Sequence, residues 1–125
     1  MIATDQQRIL VVEDEDRIAT LLKRQFEAAG FDVETAATGA AALNSIERQP
    51  ADLIVLDLRL PDISGYELCW TLRQLYSHVS MPIVILTGVE QCEEELRYQA
   101  CGADAYLRKP YDSAQLMSTI RTLLD

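Results

Sequence analysis

The stretch Asp52-Leu53-Ile54-Val55-Leu56-Asp57 places four consecutive apolar residues between two acids, and Pro61 and Gly65 follow closely. Because no polar residue alternates with the apolar ones, the run is typical of a strand buried on both faces. Asp57 is then the first polar residue where this strand leaves the core. Ligands of open parallel sheets bind at the carboxyl ends of strands. Asp57 is therefore either a functional carboxylate or a turn-forming or helix-capping residue.

Four more apolar runs alternate with segments of helical periodicity. They predict strands over 8–12, 31–36, 83–86 and 103–107. The predicted inward faces of the first and third helices consist of Ile18, Leu21, Leu22, Phe26 and Ala29, and of Leu68, Cys69, Leu72, Leu75 and Tyr76. The apolar stripe over 90–101 is thin, which predicts a loosely held helix. We therefore expect a flavodoxin-like, doubly wound (βα)5 domain with a parallel five-stranded sheet of order 2-1-3-4-5.

Length and charge narrow the class of protein. A chain of 125 residues predicts one domain, 1–125, with its core over about 8–124. Twenty acidic and eleven basic residues give a net charge of −9, which disfavours direct binding of nucleic acid. No segment approaches the ~18 apolar residues of a membrane span, and the polar stretch 1–8 lacks the apolar run and cleavage signature typical of a signal peptide. We expect a cytoplasmic protein with no membrane partner.

We expect no catalytic or metal-binding role for the cysteines, the histidine or the tryptophan. Cys69, Cys92 and Cys101 have neither metal-ligand spacing nor a redox CxxC, and we predict small buried side chains. An oxidisable thiol at Cys92 or Cys101 remains open. His78 precedes the fourth strand, at the edge of the sheet away from Asp57, and we expect no catalytic role for it. Trp70 is predicted to face outward on the third helix.

Polar residues converge at the ends of four predicted strands. Glu13 and Asp14, Asp57 and Thr87 are the first polar residues after strands one, three and four, and Lys109 follows strand five directly after Arg108. Three carboxylates at one sheet edge repel one another, and Lys109 alone leaves excess negative charge. Since a hard divalent cation prefers oxygen ligands, we favour bound Mg2+, or Mn2+, over compensation by lysine alone.

The same edge accommodates a phosphoryl group on Asp57. Carboxylates can act as nucleophiles toward phosphorus, and a metal ion together with Lys109 stabilises charge on the transferred oxygens. Thr87 can donate a hydrogen bond to such an oxygen, and Gly88 leaves room for its own backbone N–H to approach. The residues therefore favour an aspartyl phosphate at Asp57.

Together these motifs resemble the receiver domains of two-component response regulators. VVED (11–14), LIVLDLRLPDISG (53–65), PIVILTG (82–88) and GADAYLRKPY (102–111) stand in the order and at the spacing of that family. The resemblance implies that Asp57 is the phosphoacceptor for a histidine kinase's phosphohistidine, in a Mg2+-dependent reaction. It implies direct metal ligation by Asp14, Asp57 and the backbone carbonyl of Arg59, with Glu13 acting through water.

The resemblance also implies a switch. Lys109 and Thr87 would contact the phosphoryl group, and Tyr106 would be the aromatic switch partner of Thr87. The predicted helix 90–101, the fifth strand and the last helix would form the face that changes to control a partner or an attached output domain. The implied partners are a sensor histidine kinase or phosphotransfer protein, and a second copy in a phosphorylation-dependent homodimer. At most the chain would catalyse its own phosphorylation and dephosphorylation, so we do not expect an enzyme.

Several positions depart from the family pattern. Glu13 stands where Asp is common, and Ser64 where many members carry Asp. Arg59 is bulky and cationic, and we hypothesise that it tunes phosphate lifetime. Ala105 and Thr119 replace the charged residues through which receivers of the winged-helix transcription-factor subfamily usually dimerise. This weakens assignment to that subfamily without excluding it.

Two other function classes fit the sequence less well. A flavodoxin-like small-molecule or nucleotide-binding module would carry a Gly- or Ser/Thr-rich phosphate loop after the first strand, but the acids 13–16 stand there. A phosphatase or phosphomutase with an Asp nucleophile would need a second acid two places after Asp57, where the chain has Arg59. Both classes are disfavoured.

Overall fold

The computed structural model describes residues 6–77, 80–87, 101–109 and 112–125. The elements in chain order are β1 (Arg8–Val12), α1 (Asp16–Ala28), β2 (Asp32–Ala36), α2 (Gly39–Arg48), β3 (Leu53–Asp57), α3 (Gly65–Leu75), β4 (Ile83–Thr87), β5 (Ala105–Arg108) and α4 (Ser113–Leu124). The predicted helix over 90–101 lies outside the described residues except at residue 101.

The five strands form one parallel sheet of order β2-β1-β3-β4-β5. Val55, in the middle of β3, pairs with Val11 on one side and with Val84 on the other. The central position of β3 explains its uninterrupted apolar sequence, since both of its faces are covered by helices. The predicted α/β class and strand order are confirmed.

Alternate strand residues enter two separate cores, because successive side chains of a strand point to opposite faces. One core packs β-residues such as Leu10 and Ile54 against α2 and α3. The other packs residues such as Ile9 and Val55 against α1 and α4. The sheet is thus the middle of three layers.

Side-chain caps and a glycine set the ends of the helices. Thr38 Oγ1 accepts a hydrogen bond from the Ala41 N–H at 3.0 Å and caps α2. Ser64 Oγ accepts from the Glu67 N–H at 3.2 Å, so Ser64 is the N-cap of α3, with Glu67 at the spacing of a capping box. Gly30, after α1, adopts a φ of 99°, a conformation that glycine adopts without strain.

The prediction of an inward position is wrong for two apolar residues, one in α1 and one in α3. Leu21 and Leu75 are 67% and 57% exposed, although the periodicity placed them among inward residues. Leu21 lies about 100° around α1 from the buried Leu22, and Leu75 is the last residue of α3, beyond the buried Leu72. Trp70 is 55% exposed, which confirms its outward placement.

At the edge of the sheet away from Asp57, one arginine fastens α3 to the starts of β4 and β5. The Arg73 guanidinium donates to the carbonyl oxygens of Gly102 at 2.8 Å and Met81 at 2.6 Å, and it pairs with the Asp104 carboxylate. Nearby, the buried Cys69 thiol donates to the carbonyl oxygen of the buried Cys101 at 3.3 Å. The prediction of small buried side chains is confirmed for these two cysteines; Cys92, like His78, lies outside the described residues.

Candidate functional site

The carboxyl ends of β1 and β3 bring three acids together. Glu13, Asp14 and Asp57 each offer one carboxylate oxygen, and these oxygens lie within 4.8 Å of one another. The Glu13 N–H donates to the Ala36 carbonyl at 2.9 Å, which continues the pairing of β1 with β2 by one residue. Backbone pairing therefore fixes the direction in which the chain leaves β1, and it places both acids of the pair 13–14 beside the end of β3.

Glu13 is the most buried of the three acids, with 4% of its surface exposed. Desolvation and then the neighbouring charge of Asp57 raise the pKa of Glu13 from 4.5 to about 7, although the Glu15 N–H and Lys109 act in the opposite direction. The Glu15 N–H donates to Glu13 Oε2 at 3.2 Å. Asp57 is half-buried and Asp14 is exposed, so the cluster opens toward solvent on the side of Asp14.

Lys109 supplies the positive charge at this edge. It directly follows β5, and its Nζ lies 3.7 Å from Glu13 Oε1 and 3.7 Å from Asp57 Oδ1. Both distances are longer than a normal N–H···O hydrogen bond, so the ammonium interacts with both carboxylates as an ion pair. The structure brings Glu13, Asp14, Asp57 and Lys109 together, as the sequence predicts.

The remaining predicted residues are placed less fully. Thr87 is the last residue of β4 and pairs in register with Arg108. Tyr106 pairs with Ile85, and its half-buried ring packs against the core under α2 and α3. Gly88 lies outside the described residues. The pairing of strands thus puts Thr87 and Tyr106 on neighbouring strands, two register positions apart.

The loop between β3 and α3 is closed on itself. The Gly65 N–H donates to the Leu58 carbonyl at 2.8 Å, and Arg59 forms an antiparallel bridge with Ser64. A Cβ atom on Gly65 would lie 2.6 Å from the Asp57 carbonyl oxygen and 2.8 Å from Leu58 Cα. Only glycine therefore allows this close approach of α3 to the end of β3. Arg59 itself is exposed.

Sequence reasoning missed one polar residue of this loop, Asp62. Its carboxylate accepts hydrogen bonds from the N–H groups of Gly39 at 2.8 Å and Ala40 at 2.9 Å, at the start of α2. These bonds hold the pKa of Asp62 below its usual value. Pro61 followed by Asp62 signals a turn, but a cap reaching a helix earlier in the chain has no local signature.

The donor set of the acid cluster suits a hard cation. Three carboxylates with one partly exposed lysine leave net negative charge in a small volume, and all the side-chain donors are oxygen atoms. Mg2+ is typically bound by one or two carboxylates, a carbonyl and several waters. The exposure of Asp14 leaves room for such waters. The residues present therefore fit a magnesium ion.

The chain is a doubly wound α/β domain with acids and a lysine at the carboxyl edge of its sheet. Residues 9–121 match the family model of the response regulator receiver domain, and the chain belongs to this family. It is thus a receiver domain of two-component systems. The acids that follow β1 also argue against a nucleotide-binding module.

Similar proteins of known sequence are transcriptional regulators. The chain is 39% identical over 117 residues to the phosphate regulon transcriptional regulatory protein PhoB of Rhizobium meliloti, covering 94% of this chain and 52% of that protein. It is 38% identical over 117 residues to the alkaline phosphatase synthesis transcriptional regulatory protein PhoP of Bacillus subtilis, covering 94% and 48%. The chain spans about half the length of the curated relatives it matches.

Similar solved structures are receiver domains. A CheY-like response regulator receiver domain protein from Methanospirillum hungatei superposes with a TM-score of 0.91 at 34% identity, over 97% of this chain and 95% of that chain. The BeF3-activated receiver domain of Klebsiella pneumoniae RstA gives a TM-score of 0.87 at 30% identity, over 94% and 98%. Within the described part of the chain, no helix has the length and apolar character needed to cross a membrane.

Proposed function

We propose that this domain accepts a phosphoryl group on Asp57 from a phosphohistidine of a sensor histidine kinase or phosphotransfer protein, in a Mg2+-dependent reaction. The observation that carries the proposal is the position of Lys109 Nζ, 3.7 Å from Asp57 Oδ1, inside the cluster of three carboxylates. Membership of the receiver family supports the same role.

Asp57 supplies the nucleophile. One of its carboxylate oxygens bonds to phosphorus while the bond from phosphorus to the donor's nitrogen breaks, so the product is an acyl phosphate. Lys109 stabilises the negative charge that gathers on the transferred oxygens, and Thr87 donates its hydroxyl to one of them. The domain catalyses its own modification, and its product is a signal.

Asp14, Asp57 and the backbone carbonyl of Arg59 would hold Mg2+, with Glu13 reaching it through water. When bound, the ion supplies positive charge that draws the phosphoryl oxygens toward the carboxylates. Burial and then the negative charge of Asp57 raise the pKa of Glu13 to about 7, and a bound cation would offset the second of these causes.

Phosphorylation of Asp57 would change the surface that a partner contacts. Thr87, drawn toward the new phosphate, vacates space for the ring of Tyr106, and the face formed by the segment 90–101, β5 and α4 responds. This face would control an attached output domain or a separate partner, or a second copy in a phosphorylation-dependent homodimer. The transcriptional regulators among the relatives support an output domain. The domain's net charge of −9 makes it a poor ligand for nucleic acid itself.

Arg59 would tune the lifetime of the phosphate. Its backbone lies in the closed loop beside Asp57, and its exposed side chain is free of the core, so the guanidinium can reach over the phosphoryl group and hinder water. An Arg59→Ala variant is expected to lose phosphate faster than the parent. Equal dephosphorylation rates would refute this role.

The decisive experiment combines a small phosphodonor with intact mass measurement. Incubation with Mg2+ and acetyl phosphate is expected to add one phosphate to the parent, and none when Mg2+ is chelated or when Asp57 is replaced in Asp57→Asn. Asp52→Asn is the matched control, since Asp52 lies at the other end of the same strand, where its Oδ2 accepts from the Arg8 N–H. An adduct that persists in Asp57→Asn, or none on the parent, would overturn the proposal.

A further inference from the structure

The loop after the phosphoacceptor strand is fastened to a helix that precedes that strand in the chain. Asp62 Oδ1 accepts from the Gly39 N–H and Oδ2 from the Ala40 N–H, so one carboxylate satisfies the first two N–H groups of α2. Thr38 satisfies the third, that of Ala41. The loop side chain thus supplies most of the N-terminal cap of α2.

Apolar packing accompanies these hydrogen bonds. A Cβ atom on Gly39 would lie 2.6 Å from Ile63 Cδ1, so Ile63 already rests directly on the first turn of α2. The Ile63 N–H also donates to Asp62 Oδ1 at 3.0 Å, which fixes the carboxylate relative to its own loop. The first turn of α2 and the β3–α3 loop are therefore joined by both hydrogen bonds and apolar packing.

Asp62 lies in the same closed loop as Arg59, whose backbone carbonyl is a proposed metal ligand. The loop is closed by the bond from the Gly65 N–H to the Leu58 carbonyl and by the bridge between Arg59 and Ser64. Asp62 lies within this closed segment, three residues after Arg59. Releasing its carboxylate from α2 therefore frees the stretch whose backbone must present the Arg59 carbonyl.

We infer that Asp62 is a positioning residue: by capping α2 from the β3–α3 loop, it orients the loop backbone whose Arg59 carbonyl would ligate Mg2+. The inference rests on the proposed function, and it adds a residue that touches neither metal nor phosphate. It also makes α2, and not only the strands, part of the scaffold of the site.

The test measures Mg2+ affinity by calorimetry together with amide hydrogen exchange of the metal-free protein. Asp62→Ala is expected to bind Mg2+ about tenfold more weakly, the lower end of the range for groups that orient metal ligands. Without metal, the N–H groups of Gly39 and Ala40 and those of residues 59, 60 and 62–64 should exchange faster. Asp62→Asn should recover part of the affinity, since its amide oxygen can still accept from Gly39.

Two comparisons separate positioning from other effects. Thr38→Ala removes a cap from the same helix end without touching the loop, so it should speed exchange in α2 but leave Mg2+ affinity unchanged. Equal affinity in Asp62→Ala and the parent would overturn the inference. So would equal weakening in Thr38→Ala, which would indicate helix stability, or in Asp62→Asn, which would indicate charge. If the parent itself binds no Mg2+, the proposed function fails together with the inference. That outcome differs from the one in which the parent binds Mg2+ and Asp62→Ala binds it equally well.

Discussion

The close approach of α3 to the end of β3 at Gly65 allows a quantitative prediction. In Gly65→Ala the new Cβ would meet the Asp57 carbonyl oxygen at 2.6 Å and Leu58 Cα at 2.8 Å, whereas ordinary contacts begin near 3.4 Å. Both atoms belong to the backbone, so the start of α3 or the end of β3 must shift by about 0.6–0.8 Å. Overpacking of this kind costs up to about 3 kcal/mol, and the better helix propensity of alanine returns at most about 1 kcal/mol.

We therefore expect Gly65→Ala to lose about 2 kcal/mol of unfolding free energy, or about 8 °C in Tm. Because the shifted backbone carries Asp57, we also expect phosphorylation by acetyl phosphate to slow by about tenfold, since a misplacement of about 1 Å can cost 10²-fold. Urea unfolding measures the first effect. The time course of intact mass, in Mg2+ and under native conditions, measures the second.

Gly30→Ala is the matched control. Gly30 has a φ of 99° and open space around its Cα, so alanine there suffers backbone strain of about 1–2 kcal/mol without contacting anything. Gly30 lies between α1 and β2, at the edge of the sheet away from Asp57. The phosphorylation rate of Gly30→Ala should therefore match that of the parent. The reasoning is refuted if Gly65→Ala keeps the parent's stability and rate, or if Gly30→Ala slows phosphorylation equally.

Three further outcomes follow from the charges and hydrogen bonds. The pKa of Glu13 is about 7 in the folded protein and near 4.5 when unfolded, so the folded state binds more protons between these values. Stability should therefore fall by about 3 kcal/mol as the pH rises through this window without Mg2+, and Glu13→Gln should flatten the slope measured by urea unfolding at several pH values. Asp57→Asn relieves repulsion and should raise metal-free stability by about 1 kcal/mol, while Mg2+ should no longer raise Tm as it does for the parent. Arg73→Ala leaves the carbonyls of Met81 and Gly102 without their donor and should cost about 2–3 kcal/mol in urea unfolding, with the Mg2+ affinity of the remaining folded protein unchanged.

The positions of the strand ends are enough to predict which acids and which lysine lie together at this edge of the sheet. Parallel pairing brings the carboxyl ends of β1, β3 and β5 to one edge, so the residues directly after each buried run must meet, as Glu13, Asp57 and Lys109 do. The distances and the burial of Glu13 could not be predicted, because they depend on how each chain leaves its strand.

Errors arose where local periodicity ignores the rest of the molecule. Leu21 and Leu75 satisfy an apolar helical pattern, but the sheet surface available to α1 and α3 leaves both exposed. Asp62 was missed because its partners, Gly39 and Ala40, lie more than twenty residues earlier in the chain. Only the path of the loop reveals that contact.

The division of the interior by the sheet has a consequence for how such a domain can diverge. Substitutions beneath α1 and α4 alter contacts with residues such as Ile9 and Val55, while those beneath α2 and α3 alter contacts with Leu10 and Ile54. Distant sites without shared partners contribute nearly additively to stability. Each layer can therefore be remodelled for a new partner without compensating changes in the other, which gives the domain two surfaces that can acquire specificity separately.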